Sequence, residues 1–384
     1  MRGAERLPVI IETALGNSPE TVMETIRLNA YGKINLSLAV LGRRPDGYHN
    51  ISSLMQGIGL YDVVEIKKCS ENGTKYNLPH CRIGGIIIYL DMHTKDVPTD
   101  MRNLALRGIA ALAEAVETAP GYAELSGNAA GACSADNALA SLLPESALLV
   151  SIDKRLPVAA GIAGGSGNAA ACMLGLNALL GYPLSLRELM QKGAGVGADV
   201  PFSLMMNAAS NRETLADLPG IEEASTAAWM TGIGDVVEPC EPLHRYVILA
   251  NPGIAVSTPD AYRAVDELHA AQDAAQADEH AAQAGEYAAQ AAQTAAQAGE
   301  VRRGDALFTN DFEEYTLNAY DEAGALSRAM HEQLSADRIL MSGSGPTMVA
   351  YYTDRQKAER EFDRFRTEPG VRKWLTETGV TDKE

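Results

Sequence analysis

The sequence is poor in cysteine, and its cysteines show no pairing pattern. There are five, an odd number without any Cys-x-x-Cys spacing: Cys69, Cys81, Cys133, Cys172 and Cys240. This usage argues against a disulfide scaffold and a zinc site, and it favours reduced thiols. The sequence also lacks a transmembrane-length apolar run, the apolar core of a signal peptide and the composition of a transit peptide. We therefore expect a soluble, cytoplasmic protein.

Positive charge is scarce as well. The chain carries 32 Lys and Arg against 50 Asp and Glu, which gives a formal net charge of -18. Nucleic acids and anionic membranes are bound through clustered Lys and Arg, so we expect neither as a partner. A small anionic substrate remains compatible, because a few local cations can hold it. The 384 residues predict two domains, and they leave the choice between monomer and homodimer open.

The most informative stretch is glycine-rich and runs from Pro157 to Asn168. Apolar residues at 147–153 predict a strand before it, and those at 169–180 predict a buried helix after it. A glycine-rich turn between a strand and a helix cradles anions, because backbone N–H groups and the helix dipole face the negative charge. Neither common phosphate motif fits fully: no Lys ends the loop, and residues 165–170 meet the dinucleotide fingerprint only in part. The loop predicts a phosphate-bearing ligand; the alternative is a tight turn that lets a helix pack on a sheet.

Two ionisable side chains stand out in apolar surroundings. Lys33 lies two residues before Asn35 in a predicted strand, so the two share one face, either at a site or on an exposed surface. Asp199 is the one ionisable group between residues 193 and 202. It is buried beside a partner, active as a base, or the N-cap of a helix. Because Pro201 disfavours helical backbone at the residue before it, we expect the chain to turn just after Asp199.

Several segments interrupt the pattern of strands and helices. Residues 1–22 are interpreted as a loose extension, with Met23 as an alternative start, and residues 120–136 as a surface loop. Residues 207–226 are predicted to form an irregular insertion. From 267 to 300 the composition narrows to Ala and Gln with scattered acids, which predicts a solvated helix or a disordered segment without a catalytic role.

Taken in order, five motifs strongly resemble one family, the 4-diphosphocytidyl-2-C-methylerythritol kinases of the GHMP superfamily. The motifs are Ala30-Tyr-Gly-Lys-Ile-Asn-Leu36, Arg44-Pro-Asp-Gly-Tyr-His49, the loop from Pro157 to Asn168, Gly197-Ala-Asp-Val-Pro-Phe202 and Met341-Ser-Gly-Ser-Gly-Pro346. The resemblance covers most of residues 26–354. It implies the two-domain α+β GHMP kinase fold with the active site in the interdomain cleft. The N-terminal domain is expected at 23–245, and the C-terminal domain, with the insertion 267–300, at 246–384.

The resemblance also implies an activity and the residues that carry it. The activity is the phosphorylation, dependent on ATP and Mg²⁺, of the 2-hydroxyl of 4-diphosphocytidyl-2-C-methyl-D-erythritol, a step of non-mevalonate isoprenoid precursor synthesis. Asp199 corresponds to the general base and Lys33 to the catalytic lysine, residue types suited to phosphoryl transfer onto an alcohol. The ATP loop corresponds to Pro157, Val158, Ala159, Ala160, Gly161, Ile162, Ala163, Gly164, Gly165, Ser166 and Gly167. Of these, Ser166 is the residue expected to touch phosphate or Mg²⁺.

The same resemblance predicts how the substrate is held. Substrate contacts correspond to Asn35, Tyr48, His49, Thr258 and Tyr262, with the Tyr262 ring stacked on cytosine. A third motif, with Gly343, Ser344 and Gly345, is expected to close the site.

Two alternatives remain on sequence grounds. Ala159, Ala160 and Ala163 stand where the family loop usually has glycine. An alanine at a position that needs a positive φ costs about 1 kcal/mol or more, so one alternative is a nucleotide-binding homologue with weakened catalysis. The retained Lys33 and Asp199 argue against it. The other alternative is a different GHMP small-molecule kinase, against which the residues expected to bind cytidine argue.

Overall fold

The structure is a computed structural model that describes residues 24–70, 76–94, 97–118, 137–281 and 308–379. The predicted extension at 1–22, the predicted surface loop at 120–136 and the part of the Ala/Gln-rich segment beyond residue 281 lie outside these ranges. The described residues form strands and helices in an α+β arrangement, as expected. The domain limits at 23–245 and 246–384 stay a prediction.

The first sheet is organised by a long hairpin. Its strands are β1 (Thr25–Arg43), β2 (His49–Ser70), β3 (His80–Ile83), β4 (Ile86–Asp91), β5 (Ser146–Asp153), β6 (Ala227–Thr231) and β7 (Val236–Pro239). They are ordered β3-β4-β5-β2-β6-β7, and β1 pairs with β2 in antiparallel register from Thr25 opposite Lys67 to Arg43 opposite His49. The hairpin therefore carries both the Lys33 motif and the turn before His49.

The second sheet holds the other glycine turn. Its strands are β8 (Tyr246–Asn251), β9 (Arg338–Met341), β10 (Met348–Tyr352) and β11 (Arg372–Glu377), in the order β11-β8-β10-β9. The predicted turn at 342–347 joins the antiparallel neighbours β9 and β10. Leu38 and Val40 of β1 pack in the same apolar cluster as Ile248 and Met348 of this sheet. The end of the β1 strand is thus part of the core around the second sheet.

The helices cover these sheets, and two of them are buried over nearly their whole length. They are α1 (Leu104–Glu117), α2 (Ala138–Leu142), α3 (Gly164–Leu179), α4 (Leu186–Gly193), α5 (Val200–Ser210), α6 (Thr258–Ala281), α7 (Glu313–Ala319), α8 (Asp321–Gln333) and α9 (Arg355–Arg364). Every residue of α5 is buried, and so is every residue of α3 except Gly165, because α3 packs against α1, α5 and β1 together. The predicted helix at 169–180 is therefore present, but it begins at Gly164, so part of the glycine-rich stretch is helical.

Two expectations about backbone conformation are wrong. The chain does not leave the helical region just before Pro201: α5 begins at Val200, with Pro201 in its first turn. A first-turn residue needs no intrahelical partner for its N–H, so proline is tolerated there. Residues 207–226 are not wholly irregular either, since 207–210 end α5 and are buried. In the Ala/Gln-rich segment, residues 267–281 continue α6 and are helical.

Asn207 links three elements and was missed by sequence reasoning. It is fully buried; its Oδ1 accepts from the Tyr31 backbone N–H, and its Nδ2 donates to the Gly167 carbonyl, both at 3.0 Å. A Cβ on Gly167 would lie 2.8 Å from the Tyr31 carbonyl oxygen. The start of α3 therefore lies in direct backbone contact with β1, and the Asn207 amide satisfies the polar groups on both sides.

We expect Asn207→Ala to lower the free energy of unfolding by about 2 kcal/mol, because its two buried hydrogen bonds, to the Tyr31 N–H and to the Gly167 carbonyl, are lost. The exposed Asn50→Ala variant serves as the control and should change it by no more than about 0.5 kcal/mol. Urea unfolding of both variants measures the difference. Equal midpoints for Asn207→Ala and the wild type would contradict this account.

Candidate active site

Lys33 and Asp199 meet at the centre of the candidate site. The pairing register of β1 shifts between Tyr31 and Lys33, and such an irregularity re-aims the side chain that follows it. The Lys33 ammonium lies 3.5 Å from Asp199 Oδ2, with side chains 4% and 31% exposed. Asp199 does occupy the N-cap position of α5, yet its side chain makes no capping hydrogen bond. The carboxylate is thus directed to a cation rather than to its own helix.

A buried chain of hydrogen bonds fixes the lysine head. Lys33 Nζ donates to Asn35 Oδ1 at 2.8 Å, and Asn35 Nδ2 donates to Ser53 Oγ at 2.8 Å. The Ser53 hydroxyl in turn donates to the Ser37 carbonyl at 2.6 Å. Sequence spacing had placed Asn35 beside Lys33, but Ser53 lies on the partner strand and had no signal of its own. The network leaves the ammonium little freedom, which preorganises its charge toward Asp199.

The first glycine loop and the third motif are in backbone contact. Gly161 has a φ of +74°, and a Cβ there would lie 2.4 Å from the Ser342 carbonyl oxygen. The Ser342 hydroxyl donates to the Gly161 carbonyl at 3.1 Å, and the Thr347 hydroxyl donates to the Ala160 carbonyl at 2.5 Å. Ser342 Oγ also accepts from the Asn35 backbone N–H at 3.3 Å. The structure therefore brings the loop, the third motif and the Lys33 strand together.

The N-terminus of α3 presents backbone amides that precede its first intrahelical hydrogen bond. Its N-cap, Ala163, has a left-handed backbone (φ 54°) and no side-chain capping bond, and the first intrahelical bond runs from the Gly167 N–H to the Ala163 carbonyl at 2.8 Å. The N–H groups of residues 164–166 precede that bond and so lack intrahelical partners. Such a terminus favours an anion through its amides and dipole. Ser166 lies in this first turn and is 8% exposed.

Two of the three loop alanines have a left-handed backbone conformation, which glycine adopts at a lower energetic cost. Ala159 and Ala163 have φ values of 51° and 54°, whereas Ala160 is outside the left-handed region. An alanine in the left-handed conformation costs roughly 1–2 kcal/mol. Relative to glycine the net cost is smaller, because an unfolded glycine has more backbone freedom and loses more entropy on folding. The loop thus stores a modest strain.

We expect Ala163→Gly to raise the free energy of unfolding by about 0.5–1 kcal/mol for this reason. Ala169→Gly, inside α3, is the matched control and should lower it by about 1 kcal/mol, because glycine is a poor helix former. Chemical denaturation of the two variants gives the comparison. A loss of stability in both would show that the left-handed alanine carries no strain.

A face of α6 carries the remaining predicted contacts. The Thr258 hydroxyl lies 2.8 Å from the Ser344 hydroxyl of the third motif. The Tyr262 ring stacks on His49, with centroids 4.6 Å apart and planes at 19°. Burial, and then the negative charge of Asp199, raise the pKa of Tyr262 to about 12, so its hydroxyl stays protonated at neutral pH. The effect of the Asp199 charge also indicates that Tyr262 lies near the Lys33–Asp199 pair.

Other predicted residues lie nearer solvent. Tyr48 is 61% exposed; its backbone N–H donates to Asp46 Oδ1 at 3.1 Å, and its carbonyl accepts from the Arg44 N–H at 2.6 Å in the same turn. Val158, in the first loop, is 41% exposed. Gly343 closes on the first loop, since a Cβ there would lie 3.2 Å from the Gly161 carbonyl oxygen, and Gly345 packs on Met341. The structure thus gathers the predicted residues except the Tyr48 and Val158 side chains, which face outward.

A second cation near the loop had no sequence signal. Lys154 Nζ pairs with the fully buried Asp62 at 2.5 Å, and Asp62 Oδ1 accepts from the backbone N–H groups of Arg155 and Leu156. A Cβ on Gly164 would lie 3.2 Å from Lys154 Nζ. The ammonium therefore stands beside the first residue of α3, and Asp62 anchors the segment that leads into the glycine loop.

Taken together, these residues form an anion cradle beside a carboxylate. Backbone amides and an ammonium can hold phosphate groups, and the uncapped Asp199 can accept a proton from a neighbouring hydroxyl. Within the described ranges, no three His, Cys, Asp or Glu side chains are grouped so as to hold a metal. Among those same residues, no helix is both long and apolar enough to cross a membrane.

Comparison with known proteins identifies similar chains. Residues 123–207 match the family described as GHMP kinases N terminal domain. A 4-diphosphocytidyl-2-C-methyl-D-erythritol kinase of Geobacillus kaustophilus is 31% identical over 89% of this chain and 93% of its own, and one of Alkaliphilus metalliredigens is 30% identical over the same shares. A crystal structure of 4-(cytidine 5'-diphospho)-2C-methyl-D-erythritol kinase has a TM-score of 0.57 at 23% identity, covering 92% of this chain and all of that one. This structural likeness concerns the fold, which is that of a GHMP kinase.

Proposed function

Because this chain belongs to the 4-diphosphocytidyl-2-C-methyl-D-erythritol kinase family, we propose that it transfers a phosphoryl group from ATP to the 2-hydroxyl of 4-diphosphocytidyl-2-C-methyl-D-erythritol. The chain is a GHMP-type kinase of isoprenoid synthesis, a phosphotransferase with an alcohol acceptor and ATP as substrate.

One observation carries the mechanism: an N-cap aspartate that leaves its helix uncapped and lies 3.5 Å from a buried lysine. In the proposed mechanism, the Asp199 carboxylate accepts the proton of the 2-hydroxyl as the hydroxyl oxygen bonds to the γ-phosphorus of ATP, and the bond between that phosphorus and ADP breaks. The Lys33 ammonium pairs with the Asp199 carboxylate before the step and offsets charge on the transferred group during it. The Asn35–Ser53 chain holds the ammonium in place for both tasks.

The glycine loop and α3 hold the phosphates in this proposal. The first-turn amides of residues 164–166, which lack intrahelical partners, supply donors, and the contact of Gly161 with the third motif keeps the loop in shape. Mg²⁺ would be held by phosphate oxygens and the Ser166 hydroxyl, a hard oxygen donor of the kind that this ion prefers. When bound, it neutralises the charge of the phosphates.

The nucleobase end lies along α6. His49 and Tyr262 form a stacked aromatic pair, and Thr258 joins the third motif through Ser344. A planar base is held by aromatic faces and by a few fixed polar atoms, which these side chains and the Tyr48 turn offer. This arrangement supports cytidine as the recognised group, with Asn35 near the reacting end.

The test is ATP consumption with 4-diphosphocytidyl-2-C-methyl-D-erythritol, run beside mevalonate and homoserine at equal concentration. We expect turnover with the cytidylyl substrate alone, and a phosphorus NMR signal that couples to the carbon bearing the 2-hydroxyl. Turnover with mevalonate or homoserine instead would replace the proposal by another GHMP kinase activity. ATP binding without turnover of any acceptor would favour a homologue with weakened catalysis.

A further inference from the structure

Asp266 lies on the same helix face as two predicted substrate contacts. Thr258, Tyr262 and Asp266 follow one another at intervals of four residues in α6, which places them one above the other. The first reaches Ser344 and the second stacks on His49. Asp266 has no part in the reaction described above. Its spacing of four residues from Tyr262 is a signal by which the sequence could have indicated that Asp266 lies beside the predicted substrate contacts.

Asp266 contacts His49 through a hydrogen bond, whereas Tyr262 contacts it by ring stacking. One carboxylate oxygen, Oδ1, lies 2.8 Å from His49 Nε2, with side chains 31% and 9% exposed. An ionised carboxylate can only accept, so Nε2 carries the hydrogen, and in the neutral ring Nδ1 is left as an acceptor. Stacking on Tyr262 fixes the plane of the imidazole, and the hydrogen bond fixes its rotation within that plane. The ring is held in one orientation and one tautomer.

The fixed position of His49 also restrains the turn that precedes it. It is the first residue of β2 and directly follows the turn at 44–48, where Tyr48 is largely exposed. The His49–Asp266 bond joins this turn to α6, across 217 residues of sequence. A site that recognises a planar base needs such supporting contacts, because a loosely held ring loses both position and hydrogen-bond direction.

We infer that Asp266 is a positioning residue for nucleobase binding: it orients His49 and tethers the Tyr48–His49 turn so that a cytosine nucleotide finds a formed pocket. This inference rests on the proposed function. It assigns to Asp266 an effect on the affinity for the cytidine part of the substrate and none on the affinity for ATP.

The first test measures the affinity for cytidine diphosphate by calorimetry, with ATP as the second titrant. Asp266→Ala should weaken cytidine diphosphate binding about tenfold, the loss expected for one hydrogen bond to a charged group, and leave ATP binding unchanged. Asp266→Asn should stay within about threefold of the wild type, because its amide oxygen still accepts from Nε2. Glu267→Ala, exposed on the adjacent position of the same helix, is the matched control and should bind both nucleotides normally.

The second test reads the imidazole itself by ¹⁵N NMR, with the His49 signals assigned by their loss in His49→Asn. The wild type should show the Nε2–H tautomer of His49, and Asp266→Ala should lose that preference. Asp266→Ser, which is too short to reach the ring, repeats both measurements should the alanine variant unfold.

Unchanged cytidine diphosphate affinity in the alanine and serine variants would overturn the inference alone. Parallel losses of cytidine diphosphate and ATP binding would also overturn it, because they indicate a general structural defect. A wild-type protein that does not bind cytidine diphosphate would contradict the proposed function first, and the inference with it.

Discussion

Asp199→Asn is expected to lower kcat for the cytidylyl substrate by about 10³-fold, the usual contribution of a general base. The amide is close in size to the carboxylate but cannot accept the proton of the attacking hydroxyl. Because Asp199 makes no capping bond in α5, the change should leave the fold intact. Steady-state kinetics together with ATP calorimetry measure the effect, and ATP affinity should remain near that of the wild type.

The control for this variant is Asp217→Asn, at an exposed carboxylate outside the site. Its kcat should equal that of the wild type. If Asp199→Asn kept most of its turnover, Asp199 would not be the base, although the kinase activity would stand. If ATP binding fell together with kcat, the aspartate would be organising the phosphate site rather than accepting a proton.

Gly161→Ala is expected to have the largest effect on the fold of the site. The residue has a φ of +74°, and a new Cβ would lie 2.4 Å from the Ser342 carbonyl oxygen and 3.0 Å from that of Gly345. Neither backbone oxygen can turn away as a side chain would. We expect a loss of about 2–5 kcal/mol in the free energy of unfolding, from the left-handed alanine and the overpacking together.

Activity should fall with Gly161→Ala as well, since the loop must separate from the third motif to make room. Gly165→Ala is the matched stability control in the same stretch: of the described residues, only Leu104 lies near its new Cβ, with Cδ1 at 3.4 Å, and its φ is not in the left-handed region. Because Gly165 lies in α3, alanine there should be neutral or stabilising by up to about 1 kcal/mol. Denaturant unfolding compares the two, and equal stability of both variants would show that the loop and the third motif are not packed as described.

Much of the site was accessible to sequence reasoning because its parts are local. The strand that carries Lys33, the glycine stretch before a buried helix, and the turn at 342–347 each follow from short-range pattern and composition. Their order along the chain supported the family, which the relatives confirm. The same reasoning failed at Pro201 and at residue 207, where the first turn of a helix and burial between two elements overrode the local signal.

What the sequence by itself determined is the family, the residue types suited to phosphoryl transfer and some of the elements, among them the strand at 147–153 and the helix after the glycine-rich stretch. Only the tertiary structure decided which groups touch: Asp199 with Lys33, Gly161 with Ser342, and His49 with Asp266. The reason is physical. Spacing along one strand or helix follows from its fixed repeat, whereas contacts between residues far apart in sequence depend on how sheets and helices pack, and no local pattern encodes that packing.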